Sequence, residues 1–248
     1  MTETISGEGK LRIGESVLDV GFTVPIGKYS PLSMLPDVQR FADQITNYAE
    51  SKVKARGLKI SCSKGCGACC RQMAPVTPSE AQHLAALVEK MPPDKSLQVR
   101  ERFATAQAIM SATGLQPYGH PDEDKAAYRK YGLAYFKNGV ACPFLEDESC
   151  SIHADRPLVC REYLVTSPPA GCAVLGSGQV RKVSVPIQVW AAFGRSSTLD
   201  RKLKWMPLIE SLAYTEAHPA PEQERTGPQH VEAFLREIQG MADRGEEN

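Results

Sequence analysis

The sequence predicts a mainly α protein: a helical single domain with irregular cysteine-rich metal-binding loops and a small β element near the N-terminus. Three observations lead there. Apolar residues recur every three to four positions along most of the chain, the pattern of amphipathic helices. No series of strands alternating with helices, of the kind that builds a parallel sheet, and no internal repeat is visible. Eight cysteines fall in two bursts set between the helical stretches, at 62–70 and at 142–172.

Taken in order, residues 10–25 hold Ile13, Val17, Val20, Phe22 and Val24, broken by Gly14 and Gly21, which suits a short hairpin or extended arm. From Pro36, apolar Val38, Phe41, Ile45, Tyr48 and Ala49 recur at helical spacing, and Gly57 stops the run. Thr77-Pro78-Ser79-Glu80 is a capping box with proline at the first helical position. Leu84, Leu87, Val88 and Met91 then line one face until Pro92-Pro93. Helices follow at Ser96–Ala112, with Gly114 as a left-handed cap, and at Asp122–Lys137, where Tyr128, Tyr131 and Tyr135 share a face. Asn138-Gly139 turns the chain into the second burst. Gly171, Gly176 and Gly178 mark a loop, and Val180–Val185 suits a short strand. Helical patterns resume at Pro186–Ser197 and Leu203–His218. After a proline-rich break from His218 to Pro228 comes an amphipathic helix with Val231, Phe234, Leu235 and Ile238, then a frayed polar tail, Arg244–Asn248. The expected division is an N-terminal arm (1–34), a helical cysteine-cluster metal-binding domain (35–220), and a C-terminal helix with its tail (221–248).

Composition narrows the function. The 29 basic residues balance 29 acidic ones without a dense basic run, which argues against a nucleic-acid binder held mainly by phosphates. No apolar stretch approaches the roughly 20 residues that span a bilayer. Met1 to Lys10 is polar and lacks the apolar core of a secretory signal, so the expected compartment is the cytoplasm, away from membrane. In a reducing cytosol, cysteines at such density point to metal ligation rather than disulfides.

The first burst, Cys62-Ser63-Lys64-Gly65-Cys66-Gly67-Ala68-Cys69-Cys70, has the form C-x3-C-x2-C-C. Gly65 and Gly67 relieve crowding where backbone wraps closely around an ion, and polar Ser61, Ser63 and Lys64 leave nothing apolar to bury. Cys69 and Cys70 are neighbours whose side chains diverge unless the backbone bends, so Cys70 is either a ligand or a buried thiol. The second burst runs from Cys142-Pro143-Phe144-Leu145 through Cys150-Ser151-Ile152-His153 to Arg156-Pro157-Leu158-Val159-Cys160-Arg161.

Together, CxxxCxxCC and the downstream CPFL…CSI…RPxxCR resemble the bacterial YkgJ-type CxxCxxCC cysteine-cluster family, described as zinc- or iron-chelating and including a flagellin lysine-N-methylase-like protein. The resemblance implies Cys62, Cys66, Cys69, Cys70, Cys142, Cys150 and Cys160 as metal ligands. Cys172 lies outside the core motif and joins them as a further candidate. The family usually has tyrosine where this chain has His153, which is either an added nitrogen ligand or a polar aromatic-sized replacement.

Either an iron–sulfur cluster or zinc suits four thiolates, and eight would also hold two zinc ions, with every burst contributing half of each site. Cys142-Pro143 echoes the proline after a ligating cysteine in ferredoxins and tips the balance to iron–sulfur. Arg156 and Arg161 are candidate cofactor-binding residues, placed to offset the negative charge of a thiolate site; salt bridges to Glu162, Asp155 or Asp147 are the alternative. Three functions follow: an iron–sulfur protein in electron transfer or redox work, an S-adenosylmethionine-dependent protein methylase using the cluster, or a zinc-stabilised domain that binds a protein partner. The acidic run Glu146-Asp147-Glu148 is read as a solvated turn.

Overall fold

The N-terminal arm is a regular hairpin. Strands β1 (Thr4–Ile13) and β2 (Ser16–Pro25) pair antiparallel in a register that sets Leu11 against Leu18 and Ile13 against Ser16. Period-two alternation buries Leu11, Ile13, Val20, Phe22 and Val24 on one face. That face packs on helix α1 (Leu35–Ala55) and on the final helix α8 (Gly227–Glu246). Phe22, Phe41 and Phe193 stand edge-on around Phe234, at centroid distances of 5.8, 5.9 and 6.5 Å.

This architecture comes from a computed structural model, which describes residues 3–14, 16–115, 125–174, 180–219 and 225–246. Between α1 and α8 lie β3 (Pro75–Val76), α2 (Pro78–Glu89), α3 (Pro93–Ser111) and α4 (Lys125–Lys137). They are followed by β4 (Leu145–Glu146), β5 (Ser149–Cys150), α5 (Leu158–Glu162), α6 (Val189–Ser196), β6 (Met206–Pro207) and α7 (Ser211–Ala217). Among the described residues every strand pair is antiparallel: β1 with β2, β3 with β6, β4 with β5. The mainly helical class with a small N-terminal β element is therefore correct.

Two cores flank the cysteine loops. The first joins the hairpin, α1, α6, α8 and Leu158. The second joins α2 and α3 to Phe144, Ile152, Met206, Leu208 and Leu212. Tyr131 and Tyr135 bury against α3, while Tyr128 stands edge-on to Trp205 at 5.1 Å. Residues flanking the second cysteine burst thus belong to different cores, and the loops are clamped along the seam between them.

Several elements depart from expectation. Helix α3 begins at Pro93 rather than Ser96, because proline needs no amide partner in a first turn. Val180–Val185 forms no strand; it makes one bridge, Val165 to Lys182, with Val183 N–H donating to the Leu164 carbonyl. The expected helix over Leu203–His218 is interrupted by Pro207, so β6 and a 3₁₀ turn, Leu208–Glu210, precede a short α7. Helix α6 starts at Val189, after Pro186. The backbone of α8 continues through Glu246 where fraying was expected. Residues 122–124, Gly176, Gly178 and 220–224, which figure in the sequence reading, lie outside the described residues.

Candidate metal centre

Seven cysteines, Cys62, Cys66, Cys69, Cys70, Cys142, Cys150 and Cys160, line one open cavity of about 480 Å³. Asp43, Asn47 and Glu50 of α1 form one wall, with Lys64, His153 and Arg156 around it. Cys172 is buried and lines a neighbouring cavity with Gln72, Tyr163 and Lys182. All eight are free thiols.

Local backbone chemistry delivers each one. Ser61 N–H donates to the Val165 carbonyl at 2.9 Å, and Val165 N–H reaches the Cys62 sulfur at 3.4 Å, laying the start of the loop along segment 163–165. Gly65, at φ +91°, lets the chain reverse so that Cys66 N–H meets the Ser63 carbonyl. Ala68–Arg71 then winds into a 3₁₀ turn carrying Cys69 and Cys70. A hydrogen bond of 2.7 Å from Cys142 N–H to the Cys70 carbonyl ties the two bursts together.

Beyond it, β4 and β5 form a tight hairpin that sets Cys150 opposite Leu145. Its two turn residues, Asp147 and Glu148, both hold positive φ (47° and 57°), which costs non-glycine residues on the order of 1 kcal/mol each. The acidic run is more than a solvated turn. Glu146 pairs with Lys95 and with Arg102 (2.6 Å), while Arg71 holds the Glu148 carboxylate at 2.9 Å. Gly67 lies so close that a Cβ there would meet the Glu148 carbonyl oxygen at 2.6 Å. Its role is to admit the hairpin, not only an ion.

Helix α5 brings Cys160, and Glu80 positions that helix. The Glu80 carboxylate accepts from Thr77 N–H at 2.8 Å, completing the capping box of α2, and from Leu158 N–H at 2.8 Å. Nothing in the sequence announced this second bond, since a capping glutamate and the start of α5 lie 78 residues apart.

The two arginines divide their roles. Arg161 is buried and pairs with Asp43 at 2.8 and 3.0 Å, with further bonds to the Arg156 and Ala154 carbonyls. It fastens turn 153–156 to α1, and its partner is Asp43 rather than Glu162, Asp155 or Asp147. Arg156 keeps a buried Nε without a partner while lining the cavity, with Nη1 3.4 Å from His153 Nε2. An orphaned guanidinium N–H beside a ring of sulfurs suits an anionic occupant such as a thiolate-bound metal.

The thiols are electrostatically poised for a cation. Burial pushes Cys142 up to about 12 and Cys160 well above the ordinary thiol range, and their neighbours' negative charge adds to both shifts. Burial likewise raises Cys62, Cys150 and Cys172. Cys69 and Cys70 share a thiol–thiol hydrogen bond that holds Cys69 down to about 7 and drives Cys70 far up. A bound cation reverses this mutual repulsion, because it favours every ligating thiolate at once. The donor set therefore fits a soft metal. No group of three or more His, Cys, Asp or Glu among the described residues is already arranged to hold a single ion.

Residues 61–175 match the CxxCxxCC family model, described as a "putative zinc- or iron-chelating domain". This segment, 115 of the 248 residues, is similar to the CxxCxxCC domain. Both cysteine bursts, Arg156, Arg161 and Cys172 fall inside the matched residues, and metal chelation is the role that the description gives that domain. Neither a search of curated proteins nor one of solved structures returned a match. Among the described residues no helix is long and apolar enough to cross a membrane.

Proposed function

We propose that the CxxCxxCC cavity holds an iron–sulfur cluster and serves a redox or electron-transfer role. The volume of the cavity carries this reading. A water-sized occupant needs only about 10–15 Å³. A void of about 480 Å³ ringed by seven thiols accommodates a polynuclear group. Cys142, Cys150 and Cys160 are candidate ligands on the second burst, and Cys62, Cys66, Cys69 and Cys70 on the first. When bound, such a cluster supplies one-electron chemistry.

The protein's own groups would tune it. Arg156 offers an unpartnered N–H, and Lys182 sits 4.8 Å over the Tyr163 ring beside Cys172. His153 lies at the cavity wall next to Arg156, whose charge and His153's own burial disfavour a second positive charge there. An imidazole kept neutral is available as a hydrogen-bond partner or ligand. The S-adenosylmethionine alternative rests on the C-x3-C-x2-C spacing and on the methylase-like member of the family that the motifs resemble; the described strands make no parallel pair to support it.

Anaerobic purification followed by visible absorption and assays of iron, sulfide and zinc tests the proposal. A brown protein with iron and acid-labile sulfide supports it. A colourless one with stoichiometric zinc and no sulfide overturns it and leaves the zinc-stabilised reading in place.

A further inference from the structure

The N-terminal hairpin leaves one long edge of its sheet open. Strands β1 and β2 pair without a bulge, from Thr4 opposite Pro25 to Ile13 opposite Ser16, and neither pairs with any other described strand. Just beyond them, Ile26 N–H donates to the Glu3 carbonyl at 3.1 Å. Hydrogen-bonded pairs alternate along an antiparallel ladder, so Ile5, Gly7, Gly9 and Leu11 turn their backbone groups to β2. Ser6, Glu8, Lys10 and Arg12 turn theirs outward, where no described residue meets them. The strand holds no proline, and residues 4–10 are exposed. An open row of this kind is a template for a further strand.

Beside that edge lies an apolar groove. Period-two alternation sets Gly7 and Gly9 on the core side of β1, where they bring no side chain, and a Cβ on either would meet nothing within 4 Å. The result is an open cavity of about 500 Å³ between the hairpin and α8, lined by Ile5, Val20, Phe22, Val24, Val231 and Leu235. Ile5 and Leu235 stay 48% and 37% exposed there.

The charges of the strand say what completes it. A two-fold axis through Gly9 sets β1 antiparallel to its own copy, and every contact then occurs twice. Glu8 stands opposite the partner's Lys10, and Ser6 opposite the partner's Arg12. These are the residues whose backbone groups point outward, so the same pairs exchange the ladder bonds. Lys10 already stands across from Asp19 within the hairpin. The row across the joined strands therefore alternates in sign: Asp19, Lys10, the partner's Glu8. Opposite charges directly across a ladder stabilise it and like charges oppose it. The adjacent registers fail on that count, since an axis through Glu8 sets two carboxylates together and one through Lys10 sets two ammonium groups together. On the core side, the Gly9 register brings the partner's Leu11 opposite Gly7 and the partner's Ile13 opposite Ile5, over the groove.

We propose that β1 is a dimerisation edge, by which two copies of this chain join their hairpins into one four-stranded antiparallel sheet in the register centred on Gly9. The groove shares no lining residue with the cysteine cavity, so the inference stands apart from the metal reading.

Sedimentation velocity on the full chain as purified, under reductant and across a concentration series, should show a reversible dimer. Glu8→Lys alone and Lys10→Glu alone should each weaken it by roughly tenfold or more, because each sets like charges together in both rows. An equimolar mixture of the two variants should dimerise again, since both rows then join opposite charges. Variants that keep the wild-type circular dichroism yet stay monomeric when mixed overturn the register. Amide exchange on the unsubstituted protein needs no variant to fold. Ser6, Glu8, Lys10 and Arg12 amides should gain protection as concentration rises, while those of Gly7 and Gly9, already bonded to β2, hardly change. A chain that is monomeric at its highest soluble concentration, with those four amides exchanging freely, overturns the proposal and leaves the edge to a strand of a different protein. A dimer in which the four amides gain no protection overturns it as well and moves the contact elsewhere.

Discussion

Replacing Gly67 by alanine adds one methyl group at the most crowded point of the site. The new Cβ would lie 2.6 Å from the Glu148 carbonyl oxygen and 2.7 Å from its carbon, and would also strike the Leu145 side chain. Ordinary contact begins near 3.4 Å, so the hairpin must retreat by about 0.8 Å. Leu145 has rotamers in which to move, but the Glu148 carbonyl is backbone, held by a left-handed turn and by the Arg71 ion pair. Overpacking of this kind costs about 1–3 kcal/mol. For a chain of this size that lowers the thermal midpoint by roughly 2–12 °C. The displaced hairpin carries Cys150, so metal retention against a competing chelator should weaken as well. Circular dichroism melts and chelator competition measure the two effects. Gly65→Ala is the control: its Cβ meets nothing within 4 Å, and only the positive φ opposes it. A Gly67→Ala protein with unchanged midpoint and unchanged metal retention would refute the claim that this close approach sets the site.

Three further outcomes are expected. Glu80→Ala leaves Thr77 N–H and Leu158 N–H without partners in a buried position and should cost on the order of 3 kcal/mol in urea unfolding; Glu80→Gln should recover much of it by keeping one oxygen acceptor. Arg161→Met strips Asp43 and two carbonyls of their donor and should destabilise by about 2–3 kcal/mol, with a readily measured loss of metal from the loosened turn 153–156. His230 is buried, its Nε2–H donating to the Tyr29 carbonyl at 2.8 Å, and burial holds its pKa below the ordinary 6.5. The unfolded chain therefore binds the proton more readily, so the stability from neutral His230 is complete above pH 6.5 and is lost as pH falls below it. His230→Gln should flatten that part of the stability–pH curve, and an unchanged slope would show that other groups govern it.

What was legible in the sequence was local. The capping box at Thr77–Glu80, the α1 stripe and the α8 stripe depend on spacing within a few residues, and all three stand in the structure. The elements misread were those governed by distant neighbours or by proline. Leu203–His218 has helical periodicity, yet Met206 and Pro207 pair with Val76 and Pro75, more than a hundred residues earlier. Val180–Val185 has strand composition but only one bridging partner at Lys182. Composition cannot reveal whether an edge is met.

The metal centre divides along the same line. Spacing alone was enough to mark the cysteines as candidate ligands, because few roles other than metal binding place four thiols in a nine-residue polar loop. Which thiols neighbour which was decided only by tertiary structure. The Cys142–Cys70 backbone bond, the Glu80 anchor on α5, the Asp43 partner of Arg161 and the packing of Cys172 behind Gln72 each join residues far apart in the chain. The physical reason is that a ligand's identity follows from its own chemistry, whereas its grouping follows from where two hydrophobic cores clamp the loops between them.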